Sequence, residues 1–291
     1  MITSETYFSP ENELKYIGSS QFKAFMSCEA SALASIRGEY VEEKSTALLV
    51  GSYVDAYFEG TLDIFRSKNP EIFTKSGTLK SEYVQAEKII QRIERDEMFM
   101  KYMSGEKQVI MTGEIEGVPV KIKIDSYHPG KCIVDLKVMR DFAPIWVDGQ
   151  GKLPFVEAWG YDIQAGIYQE IERQSRGADA KPLPFFIAGA TKQKTTRLKI
   201  ISIPQETMDA ALQIVRQNIK HFDDLKHGIG EPERCGTCDY CAETEVLTEI
   251  VDYREVGYRA AWYTAFFRAF VGYGFRNRQK RCSDGCGFRV G

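Results

Sequence analysis

Apolar residues recur along this chain in two rhythms, and the switches between them divide it into helices and strands. After an irregular start over 1–17, Phe22, Phe25, Met26, Leu33 and Ile36 fall at helical spacing from Ser19 or Ser20 to about Gly38. A second helix is expected over about Thr46 to Phe58. There Leu48, Leu49, Val50, Tyr53, Val54 and Tyr57 surround Gly51, which lets a neighbour approach closely. A third, Ser81 to about Met103, sets Tyr83, Ile89, Ile90, Ile93 and Met98 among Glu, Lys and Arg. The period then drops to two. Val118, Val120, Ile122 and Ile124 form a strand that Asp125 ends, His128-Pro129-Gly130 turns the chain, and Cys132-Ile133-Val134 opens the next strand. A loop over Asp141 to Pro154 leads to a helix over about Phe155 to Arg173, with Trp159, Ile163, Ile167 and Glu170 or Ile171 inward. LPFFIAG and RLKIISI, within 183–203, give two more strands around the polar turn TKQKTT, and a helix over about Gln205 to Lys226 closes the core. This alternation predicts an α/β fold with a mixed central sheet flanked by helices.

Composition narrows the class. A chain of 291 residues that is 43% hydrophobic can bury one large domain, or one domain with an appendage. No apolar run approaches the roughly 18 residues that cross a bilayer, and the opening MITSETYFSPENE has no signal-peptide pattern, so a cytoplasmic protein without a membrane contact is expected. A net charge of −3 decides nothing about nucleic acid, because basic groups can be confined to one groove. Seven cysteines, an odd number, point to metal rather than to disulfides in such a chain. From Asp252 onward the sequence turns basic and aromatic, with Tyr258, Trp262, Tyr263, Phe266, Phe267 and Phe270, as in an accessory helix suited to nucleic acid. The expected division is 1–247 as one domain and 248–291 as a basic tail.

Two groups of residues carry chemistry. Asp135 and Lys137 lie two apart on one strand and share a face, and Asp125 ends the strand before it. Paired carboxylates repel unless a cation lies between them, and hard oxygen donors suit Mg²⁺ or Mn²⁺. A plain ion pair between Asp135 and Lys137 is the alternative. Glu114, at the start of the same stretch, is a further candidate oxygen ligand. Cys235, Cys238 and Cys241, spaced C-x-x-C-x-x-C, can wrap three corners of one metal centre. Gln164 and Tyr168, four apart, share a helix face.

Asp125 followed by Asp135-Leu136-Lys137 resembles the core motif of the P-D-(D/E)-x-K nuclease superfamily, with Ile124 where that motif has Pro. Gln164 and Tyr168 after the lysine resemble the Gln-x-x-x-Tyr mark of its RecB/RecE-like branch of phage-type exonucleases. The resemblance implies that Asp125, Asp135 and the Leu136 carbonyl hold Mg²⁺ or Mn²⁺, and that Lys137 is catalytic. It also implies that Gln164 and Tyr168 border the site and contact DNA, and that Lys192 or Lys194 touches phosphate. Asp55 stands four residues after Gly51, where RecB-type nucleases have a metal-binding His, so an oxygen ligand replaces an imidazole. RecB-like nucleases of the AddB branch bind a [4Fe-4S] cluster through one early and three late cysteines. That implies Cys28, Cys235, Cys238 and Cys241 here, with Zn²⁺ as the rival. The implied activity is metal-dependent hydrolysis at linear double-stranded DNA ends. The single strands so made would serve a phage annealing protein in recombination, and an oligomer is compatible with this.

Overall fold

The computed structural model describes residues 2–248 apart from 42–44, 148 and 178, together with 250, 252 and 253. Of the tail expected over 248–291, residues 249, 251 and 254–291 lie outside the described residues. The strands are β1 (Glu106–Ile115), β2 (Val118–His128), β3 (Cys132–Met139), β4 (Ile145–Val147), β5 (Gly151–Leu153), β6 (Phe185–Thr191) and β7 (Leu198–Ser202). Five of them form one sheet in the order β1-β2-β3-β6-β7, while β4 and β5 pair with each other. β3 runs parallel to β6 and every other pairing in that sheet is antiparallel, so the sheet is mixed, as the sequence predicts.

Helices cover both faces. On one lie α2 (Ser19–Ser27), α3 (Glu29–Arg37), α9 (Tyr161–Arg176) and α10 (Gln205–Lys226). Phe22, Phe25, Ile167, Ile171, Val215 and Phe222 pack there on Ile122, Ile133, Phe185 and Ile187. On the other lie α4 (Thr46–Glu59) and α6 (Ser81–Glu94), with α5 (Leu62–Lys68) and α7 (Glu97–Tyr102) alongside. Val50, Tyr53, Val54, Ile89, Ile90 and Ile93 pack there on Val134, Leu136, Ala188 and Ala190. In β3 the apolar neighbours therefore alternate, Ile133 toward α9 and Val134 and Leu136 toward α4. The period of two carries Asp135 and Lys137 to the α9 side.

Where the chain departs from expectation, the cause is local. The start is not all irregular: Ser9 caps α1 (Pro10–Lys15), its Oγ accepting from Asn12 N at 3.3 Å. The first expected helix is two, because Cys28 is extended at φ −161° between α2 and α3. The third is also two, Asp96 capping α7 through the Phe99 N–H at 3.0 Å. β1 begins at Glu106 and β2 runs on to His128, so Asp125 lies within β2 and does not end it. The expected loop contains the β4–β5 hairpin. The helix expected from Phe155 breaks into α8 (Phe155–Ala158) and α9, leaving Trp159 exposed rather than inward. Met98 is exposed too. A Cβ on Gly51 would meet only the Val138 carbonyl, at 3.9 Å, so no close approach needs that glycine. The tight crossing is at Gly166 on α9, where a Cβ would stand 2.9 Å from the Met208 carbonyl of α10.

Candidate active site

The site occupies a gap in the sheet. β2 and β3 pair only from Ser126↔Val134 to His128↔Cys132, after which they separate. Farther along β2, Ile17 takes the vacated side, bridging Val120. In the gap the Leu136 N–H has no β2 carbonyl opposite, and Asp125 Oδ2 accepts from it at 2.9 Å. On the other side of β2, Gln108 adopts φ +53° and sends its Nε2 to Asp125 Oδ1 at 3.3 Å. Backbone held in the left-handed region by a residue with a side chain is typical of places where a site is shaped.

Asp135, 3% exposed, is fixed from two sides. Gln164 Nε2, on α9, donates to its Oδ1 at 2.6 Å, and Lys137 Nζ lies 2.6 Å from its Oδ2. The predicted Asp135–Lys137 pair therefore exists, but it is sunk in the sheet rather than spread on the surface. Gln164 is 6% exposed and Tyr168 7%. The Tyr168 hydroxyl donates to the Lys123 carbonyl of β2 at 3.0 Å. Both side chains brace β2 and β3 from below.

Asp55, on α4, reaches the same place from the opposite face. It lines one pocket with Phe58, Glu59, Met103, Gln108, Asp125 and Leu136, and its Oδ1 is buried without a hydrogen-bond partner. Burial first, then Asp125, hold Asp55 well above the usual carboxylate range. Burial and then Asp135 push Asp125 up to about 7. Burial alone would lower Lys137, but Asp135 and Asp125 outweigh it and keep the ammonium charged. Asp55 and Asp125 with raised affinity for protons, the buried Asp135 beside them, and an orphaned buried oxygen on Asp55 are a donor set suited to a hard divalent cation. They are less tightly drawn together than the cysteines. Among the described residues, Cys28, Cys235, Cys238 and Cys241 are the one group of three or more such donors close enough to share an ion.

The other predicted residues fall as follows. Lys192 Nζ donates to the Ala47 carbonyl in the first turn of α4, and Asp55 acts on it from nearby. Lys194 is exposed on the turn. Glu114 is exposed near the far end of β1, opposite Pro119, and takes no part in the site. Five residues were missed, Gln108 beside Asp125 among them. Glu59 lies one turn after Asp55 on α4, a helical spacing that the sequence does offer. Lys123, Lys23 and Tyr161 have no such signal, because long-range packing brings them in. Lys23 Nζ is 5.4 Å from the Tyr161 ring centre and Lys137 Nζ is 5.6 Å from it. Burial, then Lys137, draw Lys23 down to about 8.

The cysteines form a second centre at the edge of the domain. Cys28 Sγ is 3.7 Å from Cys241 Sγ, Cys235 Sγ is 3.9 Å from Cys241 Sγ, and all four sulphurs lie within 4.8 Å of one another. Zn–S bonds of about 2.3 Å in a tetrahedron put sulphurs about 3.8 Å apart. A cubane carries its thiolates outward on four separate irons and needs them farther apart. Burial raises the Cys235 thiol, but N–H groups of Thr237 and Cys238, at 3.5 and 3.3 Å, and the Thr237 hydroxyl outweigh it and bring it to about 6.

The described helices include none long and apolar enough to cross a membrane. Residues 18–244 match the family described as a PDDEXK-like domain of unknown function (DUF3799). The chain belongs to this PDDEXK-like family. Among solved structures, the crystal structure of a "putative exonuclease" from Eubacterium rectale is 49% identical to it. The match covers 88% of this chain and 98% of that one, with a TM-score of 0.83. No curated protein matches. Membership agrees with the mixed sheet flanked by helices, and it implies divalent metal use.

Proposed function

We propose that this PDDEXK-like protein is a metal-dependent deoxyribonuclease that hydrolyses phosphodiester bonds at the ends of linear duplex DNA, leaving single strands for recombination. The observation that carries the reading is Asp135 held between Gln164 and Lys137 beside Asp125. The name of the Eubacterium rectale relative supports action at ends.

Asp55, Asp125, Asp135 and the Leu136 carbonyl would hold Mg²⁺ or Mn²⁺. Such an ion supplies charge against the scissile phosphate and acidifies a bound water. Asp125 and Asp135 bring the negative charge that anchors it, and Gln164 keeps Asp135 from rotating. Lys137, kept charged by those carboxylates, faces the place where the attacked phosphate gains negative charge. Gln164 and Tyr168 act by bracing the strands that carry the acids, and Lys192 sits where a phosphate would pass. At the second centre, Cys28, Cys235, Cys238 and Cys241 hold a metal that joins the two ends of the domain. The family resemblance favours a [4Fe-4S] cluster and the sulphur spacing favours Zn²⁺. Metal analysis of anaerobically purified protein separates the two, since an iron–sulphur centre is brown and a zinc site colourless.

The direct test is digestion of end-labelled linear duplex, with closed circular DNA alongside, by the wild type with Mg²⁺, the wild type with EDTA, and Asp135→Ala. Loss of the linear DNA only with Mg²⁺ and an intact Asp135, with the circle surviving, is expected. Lys137→Ala should fold normally by circular dichroism and lose at least ~10²-fold in rate. Binding of DNA ends without digestion would mean that the site only binds.

A further inference from the structure

Asp55 Oδ1 is not alone among the acids as a buried oxygen without a hydrogen bond. Gln108 Oε1 is another. Both residues line one cavity with Glu59 and Asp125, and that cavity, about 10 Å³, has room for a single water or a bare ion.

The backbone of Gln108 sits where glutamine is costly. Its φ is +53° within β1, a left-handed value that glycine, asparagine or aspartate takes more readily. Among the described residues one other non-glycine residue has such a φ, Glu116 at +50°, and it lies in the tight turn between β1 and β2, where these values are common. No turn asks for it at Gln108. The ladder lapses there instead: Lys107 pairs with Ser126 and Val109 with Ile124, while Gln108 and Asp125, between them, do not pair.

The length of the side chain accounts for the residue. Nε2 donates to Asp125 Oδ1 at 3.3 Å, which leaves the other half of the amide, Oε1, for the cavity. Asparagine would suit the backbone and fall one methylene short. An amide oxygen is a hard, neutral donor of the kind that Asn and Gln offer to divalent cations. Beside Asp55 and Asp125 it adds a ligand without adding negative charge. Bare buried acceptors are costly, and one cation satisfies several at once.

Resting on the nuclease reading above, we propose that Gln108 is a further ligand of the divalent cation, binding it through Oε1 together with Asp55 and Asp125. β1, an edge strand of the sheet, then shares in holding the ion with β2, β3 and α4. The left-handed backbone at Gln108 is what brings the amide to the cavity.

The test is calorimetric titration of the protein with Mn²⁺, which is a poor match for the cysteine thiolates and so reports on the acidic site. Gln108→Gly and Gln108→Met, the second keeping the length and losing the oxygen, should each weaken Mn²⁺ binding about tenfold or more. Gln108→Gly should melt close to the wild type in metal-free buffer, because glycine adopts φ +53° freely. Gln108→Glu keeps an oxygen for the ion and gives up the N–H to Asp125, so it should bind Mn²⁺ at least as tightly as the wild type. A Glu variant as weak as the Gly and Met variants overturns the proposal, since Gln108 would then act only by bracing Asp125. Gly and Met variants that bind Mn²⁺ like the wild type overturn it too, and a wild type that digests DNA beside them leaves the nuclease standing. Wild-type protein that binds no Mn²⁺ and digests no DNA sinks both.

Discussion

Asp125 shows what the residues proposed to hold the metal cost the fold. Its carboxylate is satisfied by Leu136 N–H and Gln108, yet burial and the neighbouring Asp135 raise it to about 7. An unfolded aspartate titrates near 3.9. Between those values the folded protein binds a proton that the unfolded chain does not, so this group's contribution to stability falls as pH rises through that window. Asp125→Asn should then abolish cleavage and, in EDTA at pH 8, raise the melting temperature by a few degrees. The gain should shrink toward pH 5, where the wild-type carboxyl is already protonated. A lower melting temperature at pH 8 would show that the hydrogen bonds to the charged form outweigh its repulsion. The same reasoning gives divalent binding a pH dependence, weaker below about 7 because protons compete for the site.

Among the elements, α9 carries the most consequence. Its Gln164 meets Asp135, its Tyr168 meets β2, and Gly166 between them lets α10 pass at 2.9 Å from a notional Cβ. Gly166→Ala should destabilise the fold by about 1–3 kcal/mol despite the better helix propensity of alanine, measured by urea unfolding. A stability gain would mean that the crossing yields. The positions of Asp135, Lys137, Gln164 and Tyr168 were readable because strand and helix periods fix which residues share a face. The helix breaks divide by cause. Asp96 three residues before Phe99 is a local capping signal, overlooked under the continuing apolar stripe. Nothing near Cys28 announces a break, since no proline or glycine is there and its partner is Cys241. β1 escaped notice because it is a sheet edge, where burial does not alternate cleanly. The lysines beside the site were invisible for the same reason as Cys28: their neighbours are far away in sequence.

At the scale of the molecule, the cysteines tie the first helices to the last described segment. Ala30 N–H donates to the Glu233 carbonyl at 3.0 Å, Glu233 N–H donates to Glu29 Oε2 at 2.8 Å, and Cys28 meets Cys241. Cys28→Ser should lose the metal proposed for this site and about 2 kcal/mol or more, a fall of roughly 4–8 °C for a domain of this size. Metal analysis with calorimetry reads both, and an unchanged melting temperature would reduce the clasp to an ornament. α2 carries Lys23 as well as leading into Cys28, so loosening the clasp should also disturb one wall of the site.

The clasp also imposes an order on synthesis. A ribosome has released Glu29 and Cys28, the acids of β2 and β3, and α9 well before it makes Glu233 and Cys235. Until then Glu29, buried in the finished protein, lacks the Glu233 amide and has only His221, which faces it at 2.9 Å. The N-terminal helices therefore gain this fastening only once the segment from Glu233 to Cys241 is made. A chain cut short before that point carries every residue proposed to cut but not the fastening that holds Lys23's helix in place.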